Sequence, residues 1–267
     1  MKQIGIIGFG FMGEALIKGI LAGQAPPAVG VIEAAEARRS LARDEYGCRD
    51  YGEDFASLFA DSDLVILAIK PQQADELFPA LRDPAGNTPV LSVLAGTTSS
   101  RIKELLGTRP VIRFMPNLAA AQQRSVVGVC FSREVEEPLR SETIALASAV
   151  GTPILLSESQ MSAITGLSGS GIAFVFRFIH ALALGGTRNG IPYSQSLEAS
   201  IAVVEGAAAV LRSGGVHPEE MVSRVCSPGG TTIEGIVALE EGGMSASVID
   251  AVTRAVERSQ ELEGGGR

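Results

Sequence analysis

The sequence predicts an α/β domain built on a doubly wound, mostly parallel sheet, followed by an all-α domain. Three observations predict it. Short β-branched runs alternate with helical segments in the first half, the strand pattern stops after about Ser157, and a glycine-rich turn lies between the first strand and the first helix. Strands alternating with helices specify a parallel sheet with right-handed crossovers. A chain of 267 residues has room for two ordinary domains, expected over 1–156 and 157–267.

Taken in order, Ile4–Ile7, Ala28–Ile32, Leu64–Ile69, Val90–Leu94 and Val111–Phe114 are continuous apolar runs, the pattern of strands buried on both faces. Glu14–Ala22, Glu36–Tyr46, Gln73–Leu81 and Ser99–Leu106 fit the crossover helices between them, and Val126–Phe131 and Ile154–Leu156 fit extensions of the sheet. Beyond Ser157, the segments Ile172–Gly185, Ser194–Ser213, His217–Val225, Thr231–Glu241 and Ser245–Leu262 read as helices rich in Ala, Leu and Glu. Ile172–Leu184 and Ile201–Val210 are apolar nearly all round, and such helices need neighbours on every side. In so small a helical domain a second subunit is the expected supplier, which predicts a homo-oligomer. The closing Gly264–Gly265–Gly266–Arg267 is expected to fray.

Composition narrows the function. Hydrophobic residues make up 46% and charged residues 19%, enough apolar material to exclude global disorder. A net charge of −8 argues against a nucleic-acid partner, because phosphate binding needs a cationic surface. Met1 is followed at once by a strand and turn, not by the apolar run of a leader. No apolar stretch approaches the roughly 18–20 residues of a membrane span, so a cytoplasmic location with no membrane partner is expected. Cys48, Cys130 and Cys226 are odd in number and far apart, which predicts reduced thiols and no metal site.

Gly8–Phe9–Gly10–Phe11–Met12–Gly13 fits G-x-G-x-x-G in the context the motif requires, after a strand and opening a helix. This is the signature of a Rossmann domain. Gly8 allows the tight turn, Gly10 lets backbone approach a pyrophosphate, and Gly13 permits close packing of helix on strand. Gly8, Gly10, Phe11, Met12 and Gly13 are therefore the candidate pyrophosphate contacts. Glu33 closes the second strand about 20 positions on, where an acid accepts bonds from a ribose 2′-hydroxyl and repels a 2′-phosphate. That leans to NADH, although Arg38 and Arg39, one helical turn further, are placed to reach a 2′-phosphate and keep NADPH open.

Three more stretches complete the pattern. Ala68–Ile69–Lys70–Pro71–Gln72 and Arg113–Phe114–Met115–Pro116–Asn117 end two strands, and ligands of open α/β sheets sit beyond such ends. Ser227–Pro228–Gly229–Gly230–Thr231–Thr232 opens a late helix, where consecutive N–H groups make an anion site without Lys or Arg; an ordinary N-cap is the alternative. With Gly166–Leu167–Ser168–Gly169–Ser170–Gly171, these stretches resemble pyrroline-5-carboxylate reductase, from about Gly5 to Leu262. The resemblance implies a Rossmann domain, a helical dimerisation domain assembling as homodimers or rings of dimers, and reduction of a cyclic imino acid by NADPH or NADH. It further implies that Ser227, Gly229, Gly230 and Thr231 hold the substrate carboxylate, with the Thr232 hydroxyl nearest the imine nitrogen. Lys70 would orient the cofactor or shape the charge around it, beside Ala68, Pro71 and, on the nicotinamide side, Asn117. Lys70 facing water as a strand cap, and Asn117 forming a turn, are the plainer readings. His180 and His217 have no paired acid in reach by sequence and receive no catalytic role.

Some positions depart from the family pattern: Phe11 where Asn is usual, Glu33–Ala34 for Asn-Arg, Phe55 near an Asn position, Leu118–Ala119 for Thr-Pro, and Ile172 for Pro. Most surround the cofactor, so they bear on cofactor choice more than on reaction type. A paralogue acting on another cyclic imine, or a non-catalytic regulatory one, is the alternative. A β-hydroxyacid dehydrogenase shares the glycine opening and is matched at Gly166, Gly169 and Gly171. It would need Lys and Asn where this chain has Val175 and Phe178, and alcohol oxidation needs such a base.

Overall fold

A computed structural model describes residues 1–264; Gly265, Gly266 and Arg267, three of the four residues expected to fray, lie outside the described residues. Contacts divide the chain into two compact units, Met1–Ser170 with the chain from Arg254 onward, and Gly171–Thr253.

The first unit carries β1 (Gln3–Ile7), β2 (Ala28–Ile32), β3 (Arg49–Asp50), β4 (Leu64–Leu67), β5 (Val90–Ser92), β6 (Val111–Met115), β7 (Ser125–Phe131) and β8 (Gly151–Leu155). They form one sheet in the order β3-β2-β1-β4-β5-β6-β7-β8. All neighbours are parallel except β6 and β7, which run antiparallel with Phe114 opposite Val129. The helices are α1 (Phe11–Leu21), α2 (Glu36–Tyr46), α3 (Phe55–Asp61), α4 (Pro71–Leu81), α5 (Ser99–Leu106) and α6 (Glu137–Val150).

Successive strand residues point to opposite faces, and the core divides accordingly. Ile4 and Ile6 join Leu16, Ile17, Ala42 and Ala147 under α1, α2 and α6. Ile7, Val65 and Leu67 join Leu58, Phe59, Phe78 and Ile102 under α3, α4 and α5. Helices therefore cover both faces, as the doubly wound reading requires.

Three elements escape the sequence pattern. Strand β3 is only two residues long. Helix α3 is short but carries its own start signal, Asp54 accepting from the Ser57 N–H at 2.9 Å. Helix α6 buries only Thr143, Ala147 and Val150, a stripe of small residues too weak to mark an apolar face. Small residues are what this packing needs, since a Cβ on Gly19 of α1 would lie 2.4 Å from Val150.

The units also differ from the boundary expected at 156/157. The short α7 (Met161–Ile164) and the π-helical stretch Thr165–Ser170 follow β8. Met161 and Ile164 bury themselves with Met115 and Cys130 of the sheet, which draws this segment into the first unit. The second unit holds α8 (Gly171–Arg188), α9 (Tyr193–Gly214), α10 (Pro218–Val225), α11 (Thr231–Glu241) and the first half of α12 (Met244–Glu263). The last turns of α12 belong to the first unit, where Leu262 packs against Gly96.

Within the second unit α8 and α9 pack tightly, with the Ser196 hydroxyl donating to the Ala183 carbonyl at 2.7 Å. α10 and α11 bury none of their residues. Phe176, Val203 and Ile249 are 52%, 62% and 68% exposed, so apolar side chains of this unit are left uncovered among the described residues. One sequence expectation needs correction. The helical run Glu158–Arg188 has a window of mean hydropathy 1.6, long and apolar enough for a membrane span. Scattered Gly, Ser and Thr interrupt its apolar residues, which is why no unbroken stretch stands out in the sequence.

Candidate active site

Strand order reverses at β1, which lies between β2 and β4. Ligands of open α/β sheets bind at such a switch point. The Ala68 N–H donates to the Ile7 carbonyl at 2.8 Å and the Gly8 N–H to the Ile32 carbonyl at 2.9 Å, which ties together the loops leaving β1, β2 and β4. A cleft of about 580 Å³ opens there, lined by Gly8, Gly10, Glu33, Ala68 and Lys70 among others.

The three motif glycines do different work. Gly8 has a φ of +94°, and a Cβ on it would sit 2.6 Å from the Ala68 carbonyl oxygen. A Cβ on Gly13 would sit 2.3 Å from the Gly8 carbonyl oxygen. Both are demanded by the fold. A Cβ on Gly10 would meet nothing within 4 Å. Gly10 also starts α1 with no side-chain cap, so the first N–H groups of that helix stay open. Open space over uncapped helical N–H groups fits a pyrophosphate, and the cleft is of a size for a bound dinucleotide.

Glu33 is fixed by the loop it faces, accepting from the Phe9 N–H at 2.6 Å and from the Ala35 N–H at 2.9 Å. Of the two arginines placed near a 2′-phosphate, Arg39 lines the cleft and pairs with Glu36. Arg38 turns away to Glu14. Lys70 is exposed at the start of α4, and among the described residues its ammonium pairs with no carboxylate. Pro71 is the first residue of that helix, where a missing N–H costs nothing. Phe11, Met12, Gly13, Pro71 and Asn117 do not line the cleft.

The Asn117 side chain is engaged, with Oδ1 accepting from the Ala119 N–H at 3.0 Å and Nδ2 donating to the Ser168 hydroxyl at 3.0 Å. It thereby joins the end of β6 to the glycine-rich π-helical stretch. Beneath it, Arg113 is 1% exposed and pairs with Glu158 at 2.6 Å and Glu263 at 3.5 Å. Burial alone would raise the Glu158 pKa, but the Ser99 hydroxyl and N–H and the Arg113 charge together hold it below its ordinary value. Burial pushes the Cys130 thiol up to about 11, and the Glu158 carboxylate beside it adds to that.

Sequence reasoning passed over five residues of the cleft, Gly52, Glu53, Gln73, Glu76 and Leu77. The Asp54 cap would have marked the first two; the others lie in the first two turns of α4 and carry no motif.

In the second unit, the Gly230 N–H donates to the Ser227 carbonyl at 3.0 Å and closes a turn around Pro228 and Gly229, whose φ is +67°. Pro followed by a left-handed Gly is the signature of a type II turn. Gly230 then starts α11 with no side-chain cap. This corrects one detail of the sequence reading: the Gly230 N–H closes the turn instead of facing outward, and the open donors begin at Thr231. Thr231 and Thr232 are exposed. His180 lies 3.0 Å from the Tyr193 hydroxyl, and the His217 ring caps α10.

A glycine loop at the switch point of a doubly wound sheet, followed by a helical unit, defines a nicotinamide-dinucleotide-dependent oxidoreductase. Residues 158–262 match the family model for pyrroline-5-carboxylate reductase dimerisation, and residues 3–96 match a model described as NADP oxidoreductase, coenzyme F420-dependent. The chain is 35% identical over 261 residues to a pyrroline-5-carboxylate reductase of Aquifex aeolicus, covering 97% of each chain. It is 38% identical over 266 residues to one of Methanosarcina acetivorans, covering 98% of each. The crystal structure of the Streptococcus pyogenes 1-pyrroline-5-carboxylate reductase superposes with a TM-score of 0.87 at 31% identity, covering 97% of this chain and 98% of that one. The chain belongs to the pyrroline-5-carboxylate reductase family.

Proposed function

We propose that the chain reduces the C=N bond of 1-pyrroline-5-carboxylate to give proline, with hydride from a nicotinamide dinucleotide held in the N-terminal cleft. One observation carries the reading: an uncapped helix start framed by Ser-Pro-Gly-Gly-Thr-Thr, in a chain aligned end to end with reductases of that name. The bound dinucleotide would supply the hydride. Gly8, Gly10, Phe11, Met12 and Gly13 would hold its pyrophosphate, with Ala68, Lys70, Pro71 and Asn117 toward the nicotinamide.

In the second unit, Ser227 and Gly229 shape the turn, Gly230 closes it, and the N–H groups from Thr231 onward receive the substrate carboxylate. The Thr232 hydroxyl is the donor assigned to the imine nitrogen. A protonated imine is already electrophilic, so orientation and one donor suffice where alcohol oxidation needs a strong base. Glu33, fixed at the cleft wall, favours a free ribose 2′-hydroxyl and hence NADH. We further assign the exposed apolar faces of α8 and α9 to a homodimer, which rings of dimers would extend, and place the enzyme in the cytoplasm.

The test is steady-state turnover with NADH and NADPH on five- and six-membered cyclic imino acids. Thr232→Val keeps the shape and removes the donor; kcat should fall by as much as about 10²–10³-fold with cofactor affinity unchanged. Full rate in Thr232→Val would reduce the turn to a helix cap.

A further inference from the structure

The two arginines near the cofactor cleft look equivalent in sequence, and their geometry separates them. Arg38 Nε donates to the Phe9 carbonyl at 2.7 Å, and its Nη2 donates to Glu14 at 2.7 Å. Glu14 is steadied in turn by the Tyr46 hydroxyl at 2.8 Å. Phe9 is the residue between the first two motif glycines, and it is fully buried. Its ring lies under the Arg38 guanidinium, 5.4 Å from its centroid, and meets the Tyr46 ring edge-on at 5.6 Å. On the other side of the same residue, the Phe9 N–H goes to Glu33 at 2.6 Å. One residue of the phosphate loop is thus held at its N–H, its carbonyl and its ring.

We propose that Arg38 is a positioning residue of the phosphate loop and not a ligand of the cofactor. Through the Phe9 carbonyl, and opposite Glu33 on the Phe9 N–H, it sets the loop geometry on which either dinucleotide binds. The argument is one of commitment. With Nε on a backbone carbonyl and Nη2 on a carboxylate, the planar guanidinium is pinned outside the lining of the cleft, and swinging it toward a phosphate there would break both bonds. Arg39 bonds to Glu36 instead of the loop and lines the cleft, so discrimination at the ribose falls to Arg39 and Glu33. A Cβ on Gly10 would meet nothing within 4 Å, so the contacts that fix this part of the loop come through Phe9.

The proposal rests on the reading of the cleft as a dinucleotide site, and the experiment keeps the two apart. Dissociation constants for NADH and NADPH are measured by nucleotide fluorescence, without substrate, together with steady-state KM and kcat. Arg38→Ala should weaken both cofactors by the same factor, about tenfold, as expected for losing one charged hydrogen bond. Saturating kcat and the KM for the imino acid should hold. Arg38→Lys keeps the charge and one donor but loses the fork; it should recover part of the loss, and it serves as the readable variant if Arg38→Ala does not fold. Arg39→Ala, the control, should move only the ratio between the two cofactors. A loss confined to NADPH in the Arg38 variants would make Arg38 a phosphate ligand and overturn the proposal, and so would unchanged affinity for both. A wild type that binds neither dinucleotide overturns the cofactor reading and this proposal with it.

Discussion

The chain builds two glycine turns in opposite ways. The loop Gly8–Gly13 is shaped by packing: two of its glycines are forced by backbone within 2.6 Å of where a side chain would begin, and Phe9 between them is buried and bonded to Glu33, just after β2, and to Arg38 of α2. The turn Ser227–Gly230 is shaped locally, by one backbone bond and a Pro-Gly pair, and its residues remain largely exposed. Their surroundings differ in the same sense. The first unit encloses Ile4, Ile6, Leu64 and Val111 completely, while the second leaves Val203 and Ile249 mostly open. Preorganisation of a site can come from the chain's own core or from sequence-local turn chemistry, and the second kind is easier to deform.

Glycine substitutions test that contrast most severely. Gly13→Ala places a methyl on the Gly8 carbonyl, an overpacking that should cost about 3 kcal/mol or more of stability in urea unfolding. Gly10→Val enters open space, so stability should change by no more than about 1 kcal/mol while cofactor affinity falls at least about tenfold. Equal stability loss in the two variants would erase the distinction between a glycine the fold needs and one the ligand needs.

The next effect probes the rigidity of the first unit. Glu158→Gln keeps an acceptor for Arg113 but removes the charge, leaving Glu263 at 3.5 Å as its carboxylate partner among the described residues; with Glu158 38% exposed, the cost should be about 2 kcal/mol. The Glu158 carboxyl is held below its ordinary 4.5 in the folded protein. Its contribution is therefore full above that value and is lost as pH falls through the lower folded pKa. The urea midpoint of the wild type should drop more steeply on acidification below about pH 4.5 than that of Glu158→Gln. Parallel curves would show that the pair is not what fixes this end of the sheet.

The smallest effect belongs to the local turn. Gly229→Ala must hold a side chain at a φ of +67° but meets no neighbour. About 1–2 kcal/mol of left-handed strain should relax the turn and raise the KM for the imino acid with little change in cofactor binding. A change in cofactor affinity instead would make the two turns one coupled structure.

Much of this organisation is determined by sequence alone, because it rests on short-range rules. Continuous apolar runs mark strands covered on both faces, G-x-G-x-x-G after a strand marks the switch-point loop, and Pro228-Gly229 before Gly230 marks a turn feeding a helix. Other features depend on contacts between distant residues. That β7 runs antiparallel is one, since apolar runs carry no direction. That α6 exists is another, because its small residues make sense only against Gly19. The two arginines are the sharpest case. Arg38 and Arg39 are adjacent, chemically identical, and equally plausible as phosphate ligands from sequence. Only the approach of Phe9 and Glu14, 29 and 24 residues away, decides that one braces the loop while the other faces the cleft. Neighbouring side chains on a helix point about 100° apart, and which of the two meets the core is settled by packing.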